Sequence, residues 1–595
     1  MPRPTPSCII WHEPTPYFDT LEQAHNYVRT HNDTPVSNRW PAPASGRKLL
    51  VCHDFKGGYT ENGSERGYSL EHWESVDIFV YFAHHCVSLP PTQWIRAAHE
   101  NQTPILGTLI FEWQESLNEL SILLGRERRF YVSTRTADML VELALQRGIQ
   151  GFLINIEAPL NLSQSPSSGG KFEATINSER LRKWVDYLRR RGTERTSGRV
   201  APDKVAWHVI WYDSVIYPHG RIAYQNSLSP ANAPYFGVAS GIFTNYSWTS
   251  PKIGLARQRA LLELSRTTSA ALFRSLSDVY MGIDVFARGS VGGLDTPKAL
   301  ELIAPASQSS GLSTALFAPG WTWEHEDRRW PDWWDVDLSF WARIQEYHQK
   351  PLTYSAYATN FCKGSGSAWY VRGERVYTGE WTDMSVCAPK SLAWPIPRAF
   401  SARTHEPTDV ATQLAEDTVW SGNSALRIST TDGDGIIVPL AQVNAQQDMS
   451  VTLVVTGSVS LGYFLDPKTV TLVEAPHVSV HGIWTCISAK FGALGDMCVC
   501  ACLDKGTHDA TVGYVQVSSN DADEHEATWE PANQLSWPDF APWTNAYELF
   551  AVGDSTTWLG TLPARTSATV MPPDGTPVLE VRPVGSSHGV FVALF

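Results

Sequence analysis

Asn155 and Glu157 carry the chemistry most readily named in this chain, in the run G-F-L-I-N-I-E-A-P of residues 151–159. Side chains alternate along a strand, so Leu153, Asn155 and Glu157 share one face and Phe152, Ile154 and Ile156 the other. An amide and a carboxyl in an otherwise apolar strand cost free energy if buried without partners. The pair is therefore either a hydrogen-bonded structural feature or a reactive one. Most glycosidases use two carboxylates, whereas substrate-assisted ones recruit the 2-acetamido group of the sugar as nucleophile. Such an enzyme needs one carboxylic acid to protonate the leaving oxygen. It also needs a neutral polar group to hold the acetamido and offset the charge of the cyclic oxazolinium. Glu157 fits the acid and Asn155 the holder. An apolar pocket would keep the acid protonated, and activity would fall at alkaline pH as that proton is lost.

A strand that ends in reactive groups needs a scaffold that gathers strand ends. Short apolar runs recur at Leu49–His53, Val76–Ala83, Pro104–Phe111, Gly151–Glu157, Val205–Trp211, Gly241–Thr244, Val279–Phe286 and Thr314–Ala318. Helical patterns fall between them: one opened by Pro at P-P-T-Q-W-I-R-A-A-H-E-N, then Thr136–Gly148, Ser178–Arg191, Ile253–Leu264 and Lys298–Ser307. About eight strand–helix units in ~300 residues predict an α/β fold, a (β/α)₈ TIM barrel, over residues 46–348. Its reactive groups belong at the C-terminal strand ends, which selects Asp54, Glu112, Asn155 with Glu157, Tyr212 with Asp213, Asn245 and Asp284. Glu112 is the rival acid, but no amide is paired with it in sequence. Residues 1–45 read as an irregular lead-in. After about Lys350, short alternating segments separated by Asp, Gly, Asn and Pro predict β-sandwich domains. A jelly-roll is expected over 390–540, and a small fibronectin-like sandwich from 349–389 plus 541–595.

Composition narrows the function. Of 595 residues, 43% are hydrophobic and 18% charged, which suits folded domains and excludes a mainly disordered chain. Sixty-one acidic against 47 basic residues give a net charge of −14, so neither nucleic acid nor an anionic membrane is the expected partner. No run of about 18 apolar residues could span a bilayer. The first residues show no basic segment followed by an apolar run, so no signal peptide is expected. Nine cysteines form no disulfide framework; Cys498, Cys500 and Cys502 alternate as one strand face and lack zinc-knuckle spacing. His84 and His85 have no third ligand at metal spacing, so no metal is predicted. No other cofactor is expected either. A reduced, cytoplasmic protein follows, in which the sequons at Asn32, Asn62, Asn101, Asn161 and Asn245 are inert. Tryptophan is abundant, 24 against 21 Tyr and 22 Phe, as suits either β-rich cores or the faces of sugar rings.

Several stretches, in order over about residues 48–325, resemble glycoside hydrolase family 85, the endo-β-N-acetylglucosaminidases. They are L-L-V-C-H-D-F-K-G-G-Y, F-V-Y-F-A-H-H-C, I-L-G-T-L-I-F-E-W, G-F-L-I-N-I-E, W-Y-D-S-V-I-Y-P-H-G, G-I-F-T-N-Y-S-W, Y-M-G-I-D-V-F-A-R-G and L-F-A-P-G-W-T-W-E. The resemblance implies that Asn155 orients the acetamido, that Glu157 is the acid/base, and that Tyr212 contacts the acetamido. It implies cleavage between the two GlcNAc residues of the N-glycan core, with retention, and transglycosylation when an acceptor sugar replaces water. Glycoproteins or free oligosaccharides would be the substrates. Trp113, Tyr224, Trp248 and Asp284 become sugar-contact candidates, with a rim aromatic and a barrel-end salt bridge as the alternatives for the last two. Tyr224 stands where the family often has Trp, Ala83 where it has Ser, and Phe111 where it has Thr. Tyr224 still stacks or donates, so that departure bears on acceptor use. A chitinase-like hydrolase would carry D-x-D-x-E where this chain has L-I-N-I-E. A glycan-binding lectin would have lost Asn155, Glu157 or Tyr212.

Overall fold

The computed structural model describes all residues except 1–16, 32–34, 36–39, 44–45, 55–65, 126–132, 164–167, 202–203, 267–274, 305–310, 325–332, 351, 389–398, 432, 467–468, 475, 520–527, 531–533, 538–545, 554–555, 564–566, 570–577, 587–589 and 594–595. Cys8, the sequons at Asn32 and Asn62, and the turn after Asp54 lie outside the described residues. The chain divides into two compact units, residues 14–60 with 75–350, and 1–13, 61–74 and 351–595.

The first unit is built on eight parallel strands: β1 (Leu49–His53), β2 (Ile78–Tyr81), β3 (Ile105–Glu112), β4 (Gly151–Glu157), β5 (His208–Tyr212), β6 (Gly241–Phe243), β7 (Val279–Asp284) and β8 (Ser313–Phe317). Each pairs with the next, and β8 returns to β1 through Thr314↔Leu49, closing the expected (β/α)₈ barrel. Leu50, Ile78, Val80, Leu106, Ile110, Leu153, Ile210, Phe243 and Ala315 fill its interior. Burying each large aliphatic there contributes about 1.5–3 kcal/mol. Leu153 on the inside places Asn155 and Glu157 on the inward face, as alternation requires. Gly151 starts β4 at φ +135°, and a Cβ there would meet the His208 carbonyl at 1.8 Å. Only glycine lets β4 lie this close to β5.

The 1–45 lead-in is not wholly irregular. Tyr17–Phe18 and Val87–Ser88 add two short antiparallel strands beside β3. Leu21–Thr30 is a helix, begun by a capping box in which Thr20 and Gln23 satisfy each other's backbone N–H.

The second unit is antiparallel sheet. One sheet runs, in spatial order, Ala411–Ala415, Ala425–Ser429, Asp509–Ser519, Met449–Thr456, Trp484–Phe491 and His477–His481, with Tyr357–Thr359 also on Asp509–Ser519. Another is centred on Ile436–Ala445, Gly495–Leu503 and Val459–Phe464. Cys498, Cys500 and Cys502 lie buried on the latter, against Ile437 and Phe464. Trp369 and Trp381 of the hairpin Ser365–Val371/Glu374–Thr382 pack with Ala546 and Phe550 of the four-stranded sheet at residues 546–593.

Candidate active site

The barrel brings Glu112, Glu157 and Tyr212 to one rim, at the C-terminal ends of β3, β4 and β5. Glu112 and Glu157 are register partners across the β3–β4 pair. Asn155, one turn of the pleat deeper and 3% exposed, donates from Nδ2 to Glu112 Oε1 at 3.0 Å. A carboxylate only accepts, so the atom of Asn155 turned to it is the amide nitrogen. Among the described residues no donor pairs with Asn155 Oδ1, although that atom is buried. A buried acceptor without a donor costs about 1–3 kcal/mol, so the strand holds it against a thermodynamic gradient. An N–H from a bound molecule would satisfy it.

Burial, then the charge of Glu157, push the Glu112 carboxyl above its ordinary value; the Asn155 hydrogen bond pulls the other way. Glu157 accepts from Tyr224 Oη at 2.7 Å through Oε1. Tyr212 is buried, donates to Asn245 Oδ1 at 2.9 Å, and is held protonated by burial and by the charge of Glu157. His84 Nε2 lies 3.2 Å from Asp54 Oδ1, a contact that raises the imidazole's proton affinity. His85 is spent elsewhere, on Asp19 and in a stack with Tyr17. No cluster of three His, Cys, Asp or Glu arranged for a metal exists among the described residues.

Trp113 follows Glu112 at φ +57° with its side chain 74% exposed. A bulky residue in the left-handed region costs of order 1 kcal/mol, and here it accompanies an exposed aromatic ring directly after Glu112 in the chain. As an exposed ring expected to contact sugar, Trp113 replaced by alanine (Trp113→Ala) should raise KM about tenfold with little change in kcat and no loss of stability, because the ring packs outside the core. Initial-rate kinetics beside a thermal melt check this; an unchanged KM would remove Trp113 from the site.

Two sequence candidates do not present themselves to a ligand. Trp248 is 1% exposed and its indole N–H donates to the Gly282 carbonyl at 2.6 Å. Its ring is enclosed by the barrel wall, so no face is left for a sugar. Trp248→Ala should cost about 3–5 kcal/mol of stability, seen as a large drop in melting temperature. A raised KM at unchanged melting temperature would restore the sugar-contact role. Asp284 is fully buried. It accepts from the Phe286 and Arg288 backbone N–H groups and from both prongs of Arg288, at 2.7–3.2 Å. Its acceptor positions are committed, so it is the barrel-end salt bridge and shapes the loop after β7.

Asp213, which the sequence offers as a structural hydrogen-bonder and not as a second acid, is clamped by partners the sequence does not point to. Its Oδ2 accepts from the backbone N–H of Gln225 (3.0 Å), Asn226 (2.7 Å) and Asn245 (3.4 Å), and its Oδ1 from Asn232 Nδ2 (2.8 Å). Burial nonetheless raises this carboxyl to about 7. The only sequence signal was an acid directly after Tyr212; its partners lie 12 to 32 residues away.

Residues 53–369 match the sequence model of glycosyl hydrolase family 85. A cytosolic endo-beta-N-acetylglucosaminidase of Danio rerio is 34% identical over 364 residues, covering 59% of this chain and 45% of the relative. The proteins of that name from Gallus gallus and Homo sapiens are 32% and 33% identical; the alignments cover 77% and 59% of this chain, and 60% and 43% of the relatives. The chain thus spans about half the length of the curated relatives it matches. The crystal structure of the glycoside hydrolase domain of Endo-D from Streptococcus pneumoniae superposes with a TM-score of 0.71 at 15% identity, over 98% of this chain and 99% of that one. That likeness shows the shared fold. With residues 53–369, more than half its length, matched by the family model, this chain belongs to glycosyl hydrolase family 85.

Proposed function

We propose that the protein is an endo-β-N-acetylglucosaminidase that hydrolyses the β-1,4 bond of the N,N′-diacetylchitobiose core of N-glycans, leaving one GlcNAc on the protein. The observation that carries this reading is the pairing at the end of β4: a carboxyl at the rim, and below it an amide whose nitrogen is anchored and whose oxygen is not. The names of the relatives point the same way.

In this mechanism Asn155 Oδ1 accepts the acetamido N–H and turns the acetamido oxygen towards C1. That oxygen forms a bond to C1 as the C1–O4 bond breaks. Glu157 gives its proton to the departing oxygen, and the positive charge resides on the oxazolinium ring, where the amide dipole offsets it. Water then adds to C1 from the vacated side as the C1–O bond of the oxazolinium ring breaks and the acetamido group is restored, and Glu157 takes the water's proton, giving net retention. A sugar hydroxyl in place of water gives transglycosylation. Tyr212, buried and kept protonated, is the residue this reading assigns to contact the acetamido. Trp113 supplies a stacking face for the glycan. The reaction as written uses no metal or cofactor.

The substrates are N-glycans on glycoproteins or free oligosaccharides, and the location proposed is the cytoplasm, after the relatives' names. Among the described residues no helix is long and apolar enough to cross a membrane. The division into a jelly-roll over 390–540 and a small sandwich from 349–389 with 541–595 belongs to the same reading, supported by the core that Trp369 shares with Phe550. Parallel assays on a high-mannose glycopeptide and on chitin oligosaccharides test the substrate class. Release from the glycopeptide with slow or no chitin turnover is expected; the reverse preference would make the protein a chitinase.

A further inference from the structure

We infer that Tyr224 is a positioning residue for Glu157, held in place by Asp213, and not primarily a stacking platform for sugar. The inference deepens the proposed function and rests on Glu157 being its acid/base.

Tyr224 stands in the loop between β5 and β6, and its hydroxyl reaches across to β4 to donate to Glu157 Oε1 at 2.7 Å. The terminal torsion of a glutamate is soft, with no sharp rotamer of its own. One directional hydrogen bond on Oε1 therefore decides where Oε2 points, and Oε2 is the atom left to face the leaving oxygen. A proton donor about 1 Å out of place loses on the order of a hundredfold in rate. Burial and the hydrogen bond to Glu157 both raise the Tyr224 phenol, so it is present as a donor across the working range.

The loop is pinned on both sides of Tyr224. Ala223 N donates to the Ser214 carbonyl at 2.8 Å, and Val215 bridges Ile222. On the other side Gln225 N and Asn226 N both converge on Asp213 Oδ2. Asn226 takes φ +55°, a turn asparagine tolerates better than most residues, and its Oδ1 accepts from Asn245 Nδ2 at 2.7 Å. Asn245 in turn accepts from Tyr212. A single buried carboxylate thus sets the loop that aims Tyr224, and through Asn245 the hydroxyl of Tyr212. A tryptophan at 224 would lack this hydroxyl, so the arrangement belongs to this chain's own residue.

Tyr224 is 43% exposed, so its ring is also open to sugar, and the two roles separate cleanly. Tyr224→Phe keeps the ring and removes the donor. The positioning role predicts a fall in kcat of about ten- to a hundredfold with KM within twofold, the size expected when the proton donor is displaced by up to about 1 Å. Asp213→Asn should lower kcat in the native background and by less in Tyr224→Phe, where the part of the loss that runs through Tyr224 is already gone and only the branch through Asn245 and Tyr212 remains. The full-length chain is assayed on whichever of N-glycopeptide or chitin oligosaccharide the native protein turns over, because Glu157 acts alike on both. Unchanged kcat in Tyr224→Phe, or fully additive losses in the double variant, would overturn the inference. Crystal structures of the native protein and Tyr224→Phe decide it independently of activity: the Glu157 carboxyl should leave its native orientation, and an unmoved carboxyl would overturn the inference while leaving the proposed reaction standing. Absence of turnover on either substrate would instead count against the reaction.

Discussion

Glu157→Gln should remove hydrolysis by about a thousandfold or more while the protein folds and melts as the native chain does. General acid–base catalysis contributes typically 10²–10⁴-fold, and Glu157 is assigned both proton transfers, so the loss lies in the upper part of that range. The fold is spared for local reasons. Glu157 is the last residue of β4 and only partly buried, and a glutamine carbonyl oxygen still accepts from Tyr224. The substitution removes the charge that helps push Glu112 upward, so Glu112 moves towards its ordinary value. Its register position opposite residue 157 makes it the rival for the acid role. Near-native turnover in Glu157→Gln would sink the assignment and hand the role to Glu112, for which Glu112→Gln is then the decisive variant.

Asn155→Ala should separate the two halves of the reaction. Hydrolysis of an intact glycan should fall about 10²–10³-fold, the cost of deleting one preorganised dipole aimed at developing charge. Turnover of a preformed glycan oxazoline onto an acceptor sugar should change only a few-fold, because the ring that Asn155 helps to form is already closed. The change also deprives Glu112 of its amide donor, which raises its proton affinity further and lets it be neutral in the apolar mouth. Stability should therefore change little. Equal losses on both substrates would contradict the acetamido-holding role and leave Asn155 as a structural partner of Glu112.

Much of the barrel is legible because its strands are apolar runs bounded by turns. The run read at Gly151–Glu157 is β4 residue for residue, and the other seven lie within a few residues of their expected places. Alternation alone assigns Asn155 and Glu157 to one face. Register is a different matter: nothing in I-L-G-T-L-I-F-E-W says that Glu112 stands opposite Glu157, because strand pairing is decided by the closed barrel and not by either strand. The Asp213 clamp is illegible for the same reason, since its donors come from three separate stretches of chain. Trp248 and Asp284 were legible only as two alternatives each, because residue type does not report burial. Both stand where sugar contacts were expected, and burial assigns one to packing and the other to a loop. The helix at Leu21–Thr30 was missed although Thr20 and Gln23 stand at capping-box spacing, because Pro, His and Asn on either side masked the short periodic stretch.

The central claim is that Glu157 drives cleavage between the two core GlcNAc residues. Mass spectrometry of a high-mannose glycoprotein after incubation with the native chain, beside Glu157→Gln, tests it in one measurement. The account predicts a protein that keeps a single GlcNAc and a released glycan that ends in a single GlcNAc, both with the native chain alone. No release by the native chain, release with a different bond cut, or equal release by Glu157→Gln would contradict it.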